Sequence, residues 1–209
     1  EQVSSVANWL QAQGVVKGDR VAGYLPNMPE TIVAMLATAS LGGIWTSTSP
    51  DFGEDSVIER FGQTAPKVLF AADGYFYNGK QIDIRAKVEM VKLALPSLKQ
   101  TVVIPLLGLT SDLPSLPWAE VLLTQPSEEI KFVPCSFNDP LYVLYSSGTT
   151  GKPKCITHKV GGVLLQHLKE QQLHGDIRPG DQLFYFTTCG WMMWNWLVSA
   201  LGIGTAFNA

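Results

Sequence analysis

Short apolar runs of strand character alternate along this chain with segments whose apolar residues recur at helical spacing. No other feature narrows the fold as much. Val3, Val6, Ala7 and Leu10 share one helical face, and Gly14 is a stop. A turn at Lys17 to Asp19 leads into a strand over 21–25. Pro29 and Glu30 suit the first turn of a helix over 29–41, which Gly42 and Gly43 end before a strand over 44–46. The cycle repeats with a helix carrying Val57, Ile58 and Phe61, a strand over "KVLFAAD", a helix over "IDIRAKVEMVKLAL" and a strand over "TVVIP". "LGLTSDLPSLPW" and "TQPSEEIKFVPCSFNDP" read as Pro-bearing loops. Beyond them "LYVLY" and "KCITH" are strands, 163–173 is helical, "RPGDQLFYFT" is a turn and strand, and "WMMWNWLVSALGIGTA" is helical over most of its length. This order predicts an α/β protein with a largely parallel sheet and flanking helices.

A hydrophobic content of 46% against 16% charged residues is enough for a substantial core and excludes a disordered chain. The net charge of -3 weighs against broad binding to nucleic acid or an anionic membrane. A local phosphate site stays open, because such sites use backbone N–H groups as well as charge. Cys135, Cys155 and Cys189 are odd in number and far apart, without zinc spacing, and predict reduced, mostly buried thiols in the cytosol. His167 and His174 lie too far apart for a helical chelate, and with His158 they give no reason to expect a metal site. Residues 182–209 carry no formal charge and are long enough to span a membrane. Thr187, Thr188, Gly190, Asn195, Gly202, Gly204 and Asn208 argue instead for a fully buried strand and helix in a large domain. Glu1 at the start and the apolar "GIGTAFNA" at the end suggest a piece of a longer chain.

"YSSGTTGKPK", residues 145–154, gathers hydroxyl, glycine and lysine residues between two strand patterns. It is not a P-loop: Gly148 and Gly151 are too close together, and Pro153 follows Lys152 where a helix would have to start. Two readings of these residues stand side by side. Gly148 and Gly151 can take positive φ and turn successive N–H groups toward an anion, helped by Ser146, Ser147, Thr149, Thr150, Lys152 and Lys154. The same residue types also make an ordinary solvated hairpin turn.

Ser-Ser-Gly-Thr-Thr-Gly-Lys-Pro-Lys after an apolar strand resembles the AMP-binding signature of the adenylate-forming enzymes, the acyl-CoA synthetase and luciferase superfamily. Every position from Ser146 to Lys154 fits. The likeness continues in "DRVAGYLPNMPETIVAMLATASLGGIW", "TSTSPDFGEDSVIERFGQTAPKVLF", "YNGK", "GGVLLQHLKEQQLHGDI" and "GWMMWNW", which are similar to the acetoacetyl-CoA synthetase branch. Acetyl-CoA synthetases are less similar, favouring Phe-Gly-Gly-Phe near Ser49 to Gly53 and Gly-Trp-Val-Thr-Gly at Gly190 to Trp194. The match covers essentially the whole chain.

The resemblance implies a two-step ligase using ATP, Mg²⁺ and coenzyme A, with acetoacetate as the acid. An acyl-adenylate forms first, and the thiol of coenzyme A then displaces AMP. On the family pattern Ser146, Ser147, Gly148, Thr149, Thr150, Gly151, Lys152 and Lys154 hold the ATP phosphates, with Thr149 and Lys152 catalytic. Asn78, Gly79 and Lys80 then meet coenzyme A, although an Asn-Gly surface turn is the plain alternative. Trp191, Met192 and Met193 line the acyl slot, with Met193 also near the coenzyme A thiol. Core packing is the alternative there and is preferred for Trp194 and Trp196. The resemblance makes residues 1–209 an incomplete N-terminal AMP-binding domain, whose Mg²⁺ ligands, remaining part and small C-terminal domain lie elsewhere and which is inactive alone. Other readings are an acetyl- or propionyl-CoA synthetase-like ligase and a short, non-catalytic binding product.

Overall fold

The central strands are apolar toward both sides, and each side carries its own layer of helices. The structure is a computed structural model and describes residues 1–109, 115–124, 129–146 and 151–208. Helix α1 (Gln2–Ala12) precedes strand β1 (Arg20–Tyr24), and helix α2 (Pro29–Ser40) precedes β2 (Ile44–Thr48). Pro29 opens α2, where a missing N–H costs no hydrogen bond, and Gly42 (φ 68) turns the chain out of it. Helix α3 (Glu54–Thr64) has Glu54 and Asp55 in its first turn, complementing the helix dipole, and leads to β3 (Val68–Ala72). A hairpin of β4 (Gly74–Tyr77) and β5 (Lys80–Asp83) follows, then α4 (Arg85–Ala94) and β6 (Gln100–Ile104). Next come β7 (Leu116–Pro117), α5 (Trp118–Thr124), β8 (Pro140–Ser146), β9 (Lys154–Lys159) and α6 (Val160–Lys169). A π-helical turn (Glu170–His174), β10 (Gln182–Phe184), α7 (Met192–Ser199), a 3₁₀ turn (Ala200–Ile203) and β11 (Ala206–Asn208) complete the described elements.

Seven strands form one sheet in the order β7-β6-β3-β1-β2-β8-β9, parallel throughout except for the antiparallel β8–β9 pair. Alternation along the strands divides the core. Val21 of β1 and Val68, Phe70 and Ala72 of β3 face the layer of α1, α2, α5 and α7. Ala22 and Tyr24 of β1 and Leu69 and Ala71 of β3 face α3 and α4. Both faces being covered explains why these strands read as unbroken apolar runs. The predicted α/β architecture with a mainly parallel sheet is the one observed.

Several expectations need correction. The helix read over 82–95 begins at Arg85, because Ile82 and Asp83 pair in the β4–β5 hairpin. The loop reading of 107–118 and 124–140 omits β7 and helix α5, which seats Trp118 against Phe70 at 6.0 Å. The helix read over 163–173 starts three residues earlier and ends in the π-helical turn, where buried Gln171 donates to Trp196 O at 2.7 Å. The thiols are free, but Cys135 and Cys155 are exposed and only Cys189 is buried. Cys155 sits on β9, the sheet's last strand, with no further strand beside it among the described residues. The uncharged stretch is not fully buried, since Phe184 and Phe186 are 66% and 88% exposed. β10 and β11 pair only with each other, which leaves those rings uncovered among the described residues. Among the described residues no helix is long and apolar enough to cross a membrane.

Candidate active site

From β1 the chain passes to β2 on one side, then crosses to β3 on the other side of β1. Open parallel sheets place ligands outside the carboxyl ends of the strands at such a reversal. A cleft of about 800 Å³ lies there, at the ends of β2 and β8. Ser47 and Thr48 of β2, Tyr145 and Ser146 of β8, and Trp191 and Met192 at the start of α7 are among its walls. The 189–191 segment is docked on β2: Ser47 Oγ donates to Cys189 O at 2.6 Å, and a Cβ on Gly190 would stand 3.3 Å from Ser49 N. Cys189 is fully buried, and burial pushes its thiol well above the usual range. It is an inert anchor rather than a nucleophile.

The floor of the cleft is tied together by Tyr145. Its hydroxyl hydrogen-bonds with Thr46 Oγ1 at 2.8 Å and Thr64 Oγ1 at 3.2 Å, joining β8 to β2 and α3, and burial pushes the phenol up to about 12. His158 stacks on Tyr142 with ring centroids 5.0 Å apart, and burial lowers its pKa, so it lines the cleft as a neutral ring at pH 7. No carboxylate lines the cleft among the described residues, and the formal charge there is that of Arg60. Its guanidinium lies 4.9 Å from the Phe52 ring centroid and 6.0 Å from that of Tyr145.

The glycine-rich segment joins β8 to antiparallel β9, with Ser146 opposite Lys154. Ser147, Gly148, Thr149 and Thr150 lie outside the described residues. Ser146 reaches the cleft, Gly151 holds φ 99, and Lys152 and Lys154 are exposed on the way back. Pro153 O accepts from Gln63 Nε2 at 2.9 Å, which fastens the returning arm to α3. Trp191 and Met192 line the main cleft, whereas Met193 lines an adjoining depression of about 290 Å³ with Trp191, Thr187 and Thr188. Trp194 is a core residue, fully buried, with Nε1 donating to Asn27 Oδ1 at 2.8 Å.

Asn78 and Gly79, both at positive φ (48 and 72), form the tip of the β4–β5 hairpin, and Lys80 follows them. All three are exposed and none is a wall of the cleft. His167 is buried and bonded through Nδ1 to Ser199 Oγ at 2.9 Å, and His174 is exposed. Among the described residues no three His, Cys, Asp or Glu side chains converge. Arg60 and Phe52 were not singled out by the sequence. On an amphipathic helix Arg60 reads as a solvent position, whereas in the structure the rings of Phe52 and Tyr145 cover it.

A hydroxyl- and lysine-bearing hairpin beside a cleft at the switch point of a parallel sheet is the arrangement of a nucleotide-handling α/β protein. Residues 1–207 match the AMP-binding enzyme family, and the chain belongs to it. Among its relatives is the acetoacetyl-coenzyme A synthetase of Rhizobium meliloti (strain 1021), 52% identical over 207 residues, or 97% of this chain and 32% of that protein. The acetoacetyl-CoA synthetase of Macaca fascicularis is 46% identical over 99% of this chain and 32% of its own length. The malonamoyl-CoA synthetase vrtB of Penicillium aethiopicum is 44% identical over 98% of this chain and 30% of its own length. The solved acetoacetyl-CoA synthetase from Streptomyces lividans superposes with a TM-score of 0.95 at 50% identity, covering 99% of this chain and 32% of that one. The chain thus spans about a third of the length of the curated relatives it matches.

Proposed function

We propose that the protein carrying this chain is an AMP-forming acid–thiol ligase that joins acetoacetate to coenzyme A. The observation that carries this reading is the 52% identity to an acetoacetyl-coenzyme A synthetase over 97% of the chain. In the first step a carboxylate oxygen bonds to the α-phosphorus of ATP and the bond to pyrophosphate breaks. In the second, the thiol gives up its proton to solvent, its sulfur bonds to the acyl carbon, and the acyl–oxygen bond to AMP breaks. Mg²⁺ supplies positive charge to the leaving pyrophosphate.

On this reading Ser146, Ser147, Gly148, Thr149, Thr150, Gly151, Lys152 and Lys154 grip the β- and γ-phosphates, and Thr149 and Lys152 act as the pyrophosphate departs. The donor set suits the group: hydroxyls, a positive-φ glycine and two exposed lysines follow Ser146, which lines a cleft whose walls include no carboxylate among the described residues. Trp191, Met192 and Met193 shape the acyl slot. Asn78, Gly79 and Lys80 meet a phosphate of coenzyme A, and Met193 lies near its thiol. The 209 residues are then an incomplete part of a large N-terminal AMP-binding domain, completed by the remainder of that domain and a small C-terminal domain. Free thiols at Cys135, Cys155 and Cys189 suit a cytosolic setting.

The malonamoyl-CoA synthetase relative raises malonamate as a second acid. Acetoacetate and malonamate differ by a methyl group against an amide nitrogen. An apolar wall of the Met192 type leaves the amide N–H groups without acceptors, which favours the methyl ketone. ATP–pyrophosphate exchange by the full-length protein, driven by acetoacetate, malonamate, acetate or propionate, tests the reading. Exchange is expected with acetoacetate above the other three. Exchange with acetate and none with acetoacetate overturns the substrate, and no exchange with any acid while nucleotide still binds supports a non-catalytic binding product.

A further inference from the structure

Arg60 is 9% exposed, and no carboxylate pairs with it among the described residues. Its Nη1 donates to Ser56 O at 2.8 Å and to Ser56 Oγ, one turn back on α3. A guanidinium has five N–H donors, so three remain on Nε and Nη2, without an acceptor among the described residues. The rings of Phe52 and Tyr145 stabilise the charge and leave the edge of the fork unsatisfied. Burying such a cation without a counter-ion is costly, and that cost falls when an anion binds.

The surroundings define the anion. Arg60 lines the cleft alongside Ser56, Tyr145 and Ser146, the last described residue before the glycine-rich turn. His158 is neutral there, and no carboxylate among the described residues competes for the fork. The planar guanidinium matches two oxygens of a phosphate, and stacked rings limit the orientations it must give up on binding. We propose that Arg60 is an anion-holding residue of the cleft, taking a phosphate-class oxyanion through Nε and Nη2. This rests on the ligase reading for the source of the phosphate. Two sources share the chemistry: the pyrophosphate end of the nucleotide and the diphosphate of coenzyme A.

Isothermal titration of the full-length protein separates them, using inorganic pyrophosphate and coenzyme A on wild type, Arg60→Gln and Arg60→Lys. Adenosine, which has no phosphate, serves as a control for the fold. Arg60→Gln is expected to weaken one of the two anions at least about tenfold, the scale of a lost charged hydrogen bond, and to leave adenosine within about twofold. Loss of pyrophosphate binding assigns Arg60 to the nucleotide, and loss of coenzyme A binding alone assigns it to the thiol substrate. Arg60→Lys keeps the charge without the fork and should recover part of the affinity. If Arg60→Gln fails to fold, Arg60→Lys carries the test: it must bind the anion at least about threefold more weakly than wild type. Wild-type affinity for both anions in the folded variants overturns the proposal. Absence of acetoacetate-dependent exchange in the wild type overturns the ligase reading instead, and leaves the anion titrations readable.

Discussion

The hydroxyl of Tyr145 lies 2.8 Å from Thr46 Oγ1, fastening the carboxyl end of β8 to the middle of β2 directly beneath the cleft. Tyr145→Phe removes this bond and the 3.2 Å contact to Thr64. Neither threonine is stranded, since Thr46 also bonds to Val143 O and Thr64 to Phe61 O. The loss should therefore sit in the ordinary range for one net hydrogen bond, about 1 kcal/mol. Urea unfolding should show a lower midpoint with an unchanged slope. A loss above about 3 kcal/mol would mean that the hydroxyl organises more of the cleft than these two bonds.

The same phenol sets an alkaline limit. Burial pushes Tyr145 up to about 12, and pushes Tyr24 and Tyr142 upward as well. Unfolded phenols ionise near pH 10, so above that value the unfolded chain holds fewer protons than the folded one. The stability of the protonated, buried phenols is thus complete below about pH 10 and declines as pH rises toward and through 12. Thermal melts from about pH 9 upward should fall steadily, and less steeply in Tyr145→Phe. Equal slopes in the two proteins would rule out Tyr145 as a contributor.

Strand β3 was legible because both faces of "VLFAA" are buried, which leaves an unbroken apolar run. The β4–β5 hairpin was legible only at its Asn78-Gly79 turn. Its strands are short, with Phe76 and Tyr77 58% and 68% exposed, so neither shows an alternating pattern. The glycine-rich turn stood out because its residue types are local. Arg60 and Phe52 did not, because the partner that completes their site, Tyr145 of β8, lies more than eighty residues further along the chain and no spacing records that meeting.

Gly23 and Trp45 give a second packing test. A Cβ on Gly23 would stand 2.6 Å from Trp45 Cζ2 and 2.7 Å from Cη2, inside any tolerated contact. Trp45 is 1% exposed, and its Nε1 donates to Ser47 Oγ at 3.2 Å, so the indole has little room to turn. Gly23→Ala should destabilise the chain by about 1–3 kcal/mol through overpacking. Denaturant titration with tryptophan fluorescence reads both the loss and the displaced indole. An unchanged midpoint and spectrum would show that the indole swings aside freely.

Lys152→Ala combined with Thr149→Ala tests the phosphate grip in the full-length protein. Lys152 is exposed and holds no ion pair among the described residues, so its removal should leave stability unchanged within about 0.5 kcal/mol. Loss of two donors to developing charge should lower ATP–pyrophosphate exchange by at least about a hundredfold. Wild-type exchange in the double variant would remove this segment from the phosphate site.

The reach of the proposed acyl slot can be tested at Met192. It stands at the first position of α7 and lines the main cleft with Trp191, while Met193 faces the adjoining depression. If Met192 closes the acyl slot, Met192→Ala opens space for about three further carbon atoms without adding a polar group. Each methylene fitted into an apolar pocket contributes about 1 kcal/mol or more to transition-state binding. The ratio of kcat/KM for 3-oxohexanoate over acetoacetate should then rise at least about tenfold, mostly through weaker handling of acetoacetate and gained contacts for the longer chain. Met193→Ala, which alters the adjoining depression rather than the main cleft, should move that ratio less than Met192→Ala. Should Met193 move the ratio and Met192 leave it fixed, the acyl slot lies on the Thr187 side of α7, and the main cleft serves phosphate alone.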